Sequence, residues 1–82
     1  MSLFRIRIRE FAKVQNLKLK DVAERSGVNY NTVKSYARVS AIAMADVIAL
    51  IKIARVFDIS VEELVEVVEE PPSKNDDLNG GD

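Results

Sequence analysis

From Leu3 to Arg9 apolar and basic side chains alternate: Phe4, Ile6 and Ile8 against Arg5, Arg7 and Arg9. A period of two is the mark of a strand with one buried face. At Ile8 the period lengthens. Ile8 and Phe11 follow helical spacing, continued by Val14 or Gln15. The pattern predicts a strand at about 3–7 and a first helix at about 8–15. Asn16 closes that helix, because asparagine tolerates the left-handed conformation. A second helix is expected at about 19–25, with Val22 and Ala23 on its apolar face and Gly27 ending it without a side-chain penalty. Asn29 caps a third helix at about 30–37, whose inner face is Val33 and Tyr36. Asp46 caps a fourth at about 47–57, where Val47, Leu50, Ile51, Ala54 and Phe57 form a broad apolar stripe. Ser60 opens one last turn, with Glu63 three residues later completing a capping box and Leu64 reaching the core.

Two segments admit more than one reading. Val65, Glu66 and Val67 alternate again, so residues 65–69 form a second strand or continue the last helix. As a strand they pair with the N-terminal one and set glutamates near arginines across the ladder. Arg5, Arg7 and Arg9 would share a face of their strand, either as a phosphate-binding row or as partners of Glu66 and Glu69; pairing is the better reading, because the acids fall where the ladder needs them. Between the third and fourth helices, residues 39–45 are small and apolar. Val39, Ile42 and Met44 pack on the core or form an exposed patch suited to a partner protein.

The expected architecture is all-α: five helices in residues 1–70, with a small two-stranded pairing of the terminal segments. Pro71-Pro72 stop it, and residues 71–82 read as a disordered acidic tail. Charge is divided the same way. Residues 1–61 carry eleven Lys/Arg and five Asp/Glu, whereas residues 62–82 carry one lysine and eight acids, so the net charge of −1 conceals a basic body. That division suits a nucleic-acid binder. The chain has neither cysteine nor histidine, which removes thiolate chemistry, the commonest general base and the commonest zinc ligand. No Gly-rich phosphate loop is present, since Gly80-Gly81 sit in the tail. An enzyme is not expected, nor a cofactor or a metal. No apolar run approaches the ~20 residues of a membrane span, and the arginines interrupt any signal segment. The expected location is the cytoplasm.

The outward positions of the third helix carry the candidate chemistry. Tyr30, Asn31, Thr32, Lys34 and Ser35 are nearly all polar, on a short helix that follows another after a tight turn. Amides, hydroxyls and a lysine on such a helix suit the DNA major groove. Asn31 can offer a donor–acceptor pair to adenine, Lys34 can reach guanine, Ser35 can bond to several bases and Tyr30 can touch a thymine methyl.

The order of Ile8-Arg9-Glu10-Phe11, Leu17, Val22-Ala23, Gly27-Val28, Asn29 to Val33, Leu50 to Ala54 and Phe57-Asp58-Ile59-Ser60 through Leu64 resembles the XRE family, the Cro/phage-repressor type of helix-turn-helix protein. Each block is weak alone; their order over residues 8–65 is specific. The resemblance implies five helices, a recognition helix at about 30–37, and transcriptional regulation through a homodimer on two-fold double-stranded DNA, commonly as a repressor. It places base reading on Tyr30, Asn31 and Ser35, with Lys34 alongside. Lys18, Lys20, Asn29, Thr32 and Arg38 are the candidates for the DNA backbone. Three departures stand out. Leu19 occupies a position often held by glutamine, and Lys18 and Lys20 flank it. Ala12 and Ala37 replace an arginine–glutamate pair, a change that is often neutral when both partners go. The loop after the recognition helix carries only Arg38 before Asp46, which predicts modest, less salt-dependent affinity. The competing reading is a protein-interaction module, antitoxin-like or an adaptor, that keeps the fold without a specific DNA role.

Overall fold

The computed structural model describes residues 3–39, 42 and 44–68. Its elements in chain order are β1 (Leu3–Ile6), α1 (Ile8–Val14), α2 (Leu19–Ser26), α3 (Tyr30–Arg38), α4 (Val47–Phe57), α5 (Val61–Leu64) and β2 (Val65–Val68). Five helices and a two-stranded antiparallel ribbon are therefore present among the described residues. Every expected element exists, with ends shifted by a residue or two. The expected tail, and Glu69 with it, lies outside the described residues.

The local signals act as the sequence implies. Asn16 and Asp58 leave α1 and α4 in the left-handed region, each with φ 58°. Asp46 Oδ1 accepts from the Ile48 amide at 2.9 Å, capping α4. At α5 the capping box is complete: the Ser60 hydroxyl accepts from the Glu63 amide at 3.1 Å, and the Glu63 carboxylate accepts from the Ser60 amide at 3.0 Å. Removing the α4 cap in Asp46→Ala is expected to cost about 1 kcal/mol, measured as a lowered urea midpoint with unchanged slope.

The core is drawn from every element but β2 (Ile6, Ile8, Ala12, Val22, Ala23, Val33, Leu50, Ile53, Ala54, Phe57 and Leu64), and Phe11, Tyr36, Ile42 and Val65 pack around it. Phe11 and Phe57 meet with ring centroids 5.8 Å apart. Of the two residues that could continue the inner face of α1, Gln15 does so: its side-chain amide donates to the Phe57 carbonyl at 3.0 Å, whereas Val14 is 81% exposed. Ile8 and Ala12 are buried on that face and Phe11 is half-buried beside them.

Strand β2 pairs with β1, settling residues 65–68 as strand rather than helix; Phe4 faces Val67 and Arg5 faces Glu66. The row of three arginines does not form. Strand β1 ends at Ile6 because Arg7 is already the N-cap of α1 and Leu64, which lies opposite it, belongs to α5, although the Arg7 amide still bonds to the Leu64 carbonyl at 2.8 Å. Arg5 and Arg7 share Glu10, and Arg9 turns instead toward α3. Arg5 also pairs with Glu66, Arg7 lies 3.0 Å from Glu10, and Arg9 donates to the Ala37 carbonyl at 3.3 Å, near the end of α3. The loop after α3 also divides: Val39 and Ile42 are half-buried, and Ile42 exchanges two backbone hydrogen bonds with Phe4 at 2.7 and 2.9 Å, whereas Met44 stands in solvent.

Candidate nucleic-acid interface

Helices α2 and α3 are joined by Gly27, Val28 and Asn29. The turn needs Gly27 because its φ is +78°, a conformation side chains rarely adopt. Around it the Ser26 hydroxyl donates to the Ala23 carbonyl at 3.3 Å and accepts from the Val28 amide at 3.1 Å. Asn29 Oδ1 then accepts from the Asn31 amide at 2.7 Å, opening α3. Val22, Ala23 and Val33 are buried where the two helices meet. Tyr36, half-buried one turn on, accepts the Asp46 amide on its hydroxyl at 2.9 Å. These contacts fix which face of α3 remains in solvent.

That face carries the expected residues. Tyr30, Asn31, Lys34, Ser35 and Arg38 are exposed, and Thr32 is half-buried at its margin. The Asn31 side chain has no hydrogen-bond partner among the described residues, so both ends of its amide are available. Lys34 Nζ lies 5.1 Å from the centre of the Tyr30 ring. A cation held over an aromatic face is partly ordered before any ligand arrives. The side-chain oxygen of Asn29 is used by its cap, which leaves its NH2 group as the donor for an acceptor outside the protein.

A second group lies where α1 meets the start of α2. Arg9, Lys13, Asn16 and Lys18 line a cleft of about 510 Å³ there. Lys18 precedes α2, and its own amide bonds to the Asp21 carboxylate at 2.9 Å. Lys20 is exposed on the first turn. The structure thus adds Arg9 and Lys13 to Lys18; their separation of four residues along α1 was the available signal. Leu19 is half-buried and packs against the core, which explains an apolar residue at this helix start. Ala12 is buried and Ala37 packs on the same core, so the site of the missing ion pair is filled by apolar contact. Arg38 ends α3 beside a pocket shared with Arg5, Arg7 and Arg9. The site can offer hydrogen-bonding groups on one helix face, flanked by cations for an anionic backbone. Among the described residues no group of acids could hold a metal ion, and no helix is long and apolar enough to cross a membrane.

The family model described as Helix-turn-helix matches residues 8–64, and the chain belongs to that family, in its XRE-type branch. The matched residues run from the start of α1 to the end of α5 and hold the helix-turn-helix itself. Among solved structures, a chain of a SinR protein/SinI protein complex is similar at 29% identity, with a TM-score of 0.65 over 71% of this chain. The likeness takes in 55% of that chain, so this protein corresponds to about half of its neighbour. No curated protein matches the sequence.

Proposed function

We propose that the protein is a sequence-specific repressor of transcription and not an enzyme. A homodimer sets two copies of α3 in successive major grooves, about 34 Å apart. Asn31, Tyr30, Lys34 and Ser35 read bases; Lys18, Lys20, Asn29, Thr32 and Arg38 hold the backbone. Repression is steric, by occupation of a site polymerase needs. The observation that carries this reading is the outer face of α3, where an asparagine amide without a partner among the described residues and a lysine 5.1 Å from the Tyr30 ring centre stand on a helix anchored by Val33 and Tyr36.

The test is selection of genomic fragments by the purified full chain at near-physiological salt, followed by sequencing. An enriched motif with two-fold symmetry supports the reading. Absence of any motif would reject it in favour of an interaction module, a reading that the exposed Met44 and the neighbour's presence in a protein–protein complex make the natural alternative. On the selected site, Lys18→Ala and Lys20→Ala are each expected to weaken binding uniformly across sequences. Each should lower the salt slope by about one, measured as affinity against salt concentration.

A further inference from the structure

Arg5, Arg7 and Arg9 form no row, yet the turn from β1 into α1 keeps them together, and the end of α3 brings Arg38 to join them. The four arginines line one pocket of about 320 Å³, in which Glu10 is the one acid. That volume falls at the small end of ligand pockets, about 300–1,000 Å³.

The donors around the pocket are only partly used. Arg7 is fully engaged: its Nε and Nη2 each meet the Glu10 carboxylate at 3.0 Å, and its Nη1 donates to the Glu63 carbonyl at 3.3 Å. Arg5 meets Glu66, and Glu10 at 3.6 Å, through the same nitrogen, Nη2. Its Nε is shut off from water and has no hydrogen-bond partner among the described residues. A turn of that guanidinium toward an anion therefore costs no hydrogen bond at Nε. Arg9 uses Nε alone, on the Ala37 carbonyl. Arg38 is exposed, and its side chain has no partner among the described residues. A guanidinium carries five N–H donors, so Arg9 and Arg38 keep most of theirs for an acceptor outside the chain. Glu10 and Glu66 offset two of the four positive charges, and two remain. The C-terminal end of α3 opposes an anion, but Arg9 sets a cation on its Ala37 carbonyl.

We propose that this pocket binds a phosphate dianion, as the free ion or as the terminal phosphate of a small molecule. Charge and shape select that class. A phosphate monoester carries about −1.5 to −2 at pH 7 with three acceptor oxygens, which matches the two uncompensated charges, and its oxygens suit guanidinium forks arriving from β1, α1 and α3. A carboxylate brings a single charge. A phosphodiester of the DNA backbone also brings one, and has two of its corners tied to sugars. The pocket shares Arg38 with the backbone contacts of the proposed function. An ion that holds Arg38 withdraws it from DNA, so phosphate antagonises DNA binding; this consequence rests on that reading, whereas the binding itself does not.

The experiment uses full-length protein at constant ionic strength, with chloride replaced stepwise by inorganic phosphate or by phenyl phosphate, and follows the arginine Nε–H signals by NMR. Arg25 is the control, an exposed cation on a different part of the surface. The expected result is that Arg5, Arg9 and Arg38 shift along one saturating curve while Arg25 stays nearly still. Equal affinity for the two probes assigns the free ion, and tighter binding of phenyl phosphate assigns a phosphate carried on an organic group. Arg9→Gln and Arg38→Gln each weaken phosphate binding by about tenfold, and Arg25→Gln does not. Urea midpoints confirm that the variants fold, and Arg38→Gln, which gives up no contact among the described residues, keeps the test open if Arg9→Gln does not. On the selected DNA site, saturating phosphate weakens wild-type binding by as much as Arg38→Gln does, and weakens the Arg38→Gln protein no further. Shifts as large at Arg25 as in the pocket, or phosphate binding by Arg38→Gln within about twofold of wild type, would reduce the effect to general ion screening and overturn the site. Saturable binding that leaves DNA affinity unchanged overturns the antagonism through Arg38. Saturable binding by a protein that selects no DNA motif rejects the repressor and leaves the pocket standing.

Discussion

Phe57→Ala is expected to cost about 3–5 kcal/mol, a large part of what holds so short a chain folded. Phe57 is buried at the end of α4, its ring meets Phe11, and its carbonyl accepts the Gln15 side chain, so one residue joins α1 to α4 in two ways. The carbonyl survives the substitution but the ring contact does not. The cavity would lie where α4 turns through Asp58 into α5, a corner fixed by backbone hydrogen bonds from Asp58 and Ile59 to Arg55 and Ala54 that limit collapse. Urea titration by circular dichroism measures the loss, with Val14→Ala as the near-neutral comparison. A cost under about 1 kcal/mol would mean that the two aromatic rings are not the centre of the core.

The second large effect concerns DNA. Lys34→Glu removes a cation from the outer face of α3 and puts a like charge against phosphate. The lost contact alone is worth about 1–3 kcal/mol, so affinity for the selected site should fall by at least about tenfold. Lys34 is exposed and makes no ion pair among the described residues, so the fold should be untouched. Asn31→Ala is expected to behave differently, relaxing specificity at one base pair while other positions keep theirs. Measurement is by fluorescence anisotropy on the selected site and on single-base variants of it. Unchanged binding by a folded Lys34→Glu protein would remove this helix face from the interface.

The helices were legible because their signals are local. Asn29, Asp46 and Ser60 each cap the helix that follows, and Gly27 needs a positive φ wherever the chain goes next. The exposed face of α3 could be read for the same reason: Val33 and Tyr36 fix the inner side, and the remainder must face out. The arginines were harder. Their alternation is real, but whether a strand continues through Arg7 depends on Leu64, far along the chain, which lies opposite Arg7 but belongs to α5. Val14 and Gln15 are alternatives in the sequence for a similar reason, since no nearby residue shows that Gln15 reaches Phe57. Lys13 shares its spacing along α1 with Arg9, but its neighbour Lys18 lies across the α1–α2 corner, which that spacing does not show. The apolar loop divided between two fates, with Ile42 taken by the backbone of Phe4 and Met44 left in solvent.

The pairing of β1 with β2 also bears on how the molecule comes to exist. Arg5 and Glu66 are 61 positions apart, whereas the α1–α2, α2–α3 and α4–α5 contacts join consecutive elements. Non-local pairings of this kind carry the loop-closure cost that slows folding. During synthesis β1 emerges before the other described elements and waits for almost all of them before its partner exists. Until then Phe4 and Ile6 have no β2 beside them, and the Arg7 amide lacks the Leu64 carbonyl. A ribosome that stalls within α4 therefore leaves a nascent chain with an unpaired β1 edge, a surface prone to join a neighbouring chain on the same message.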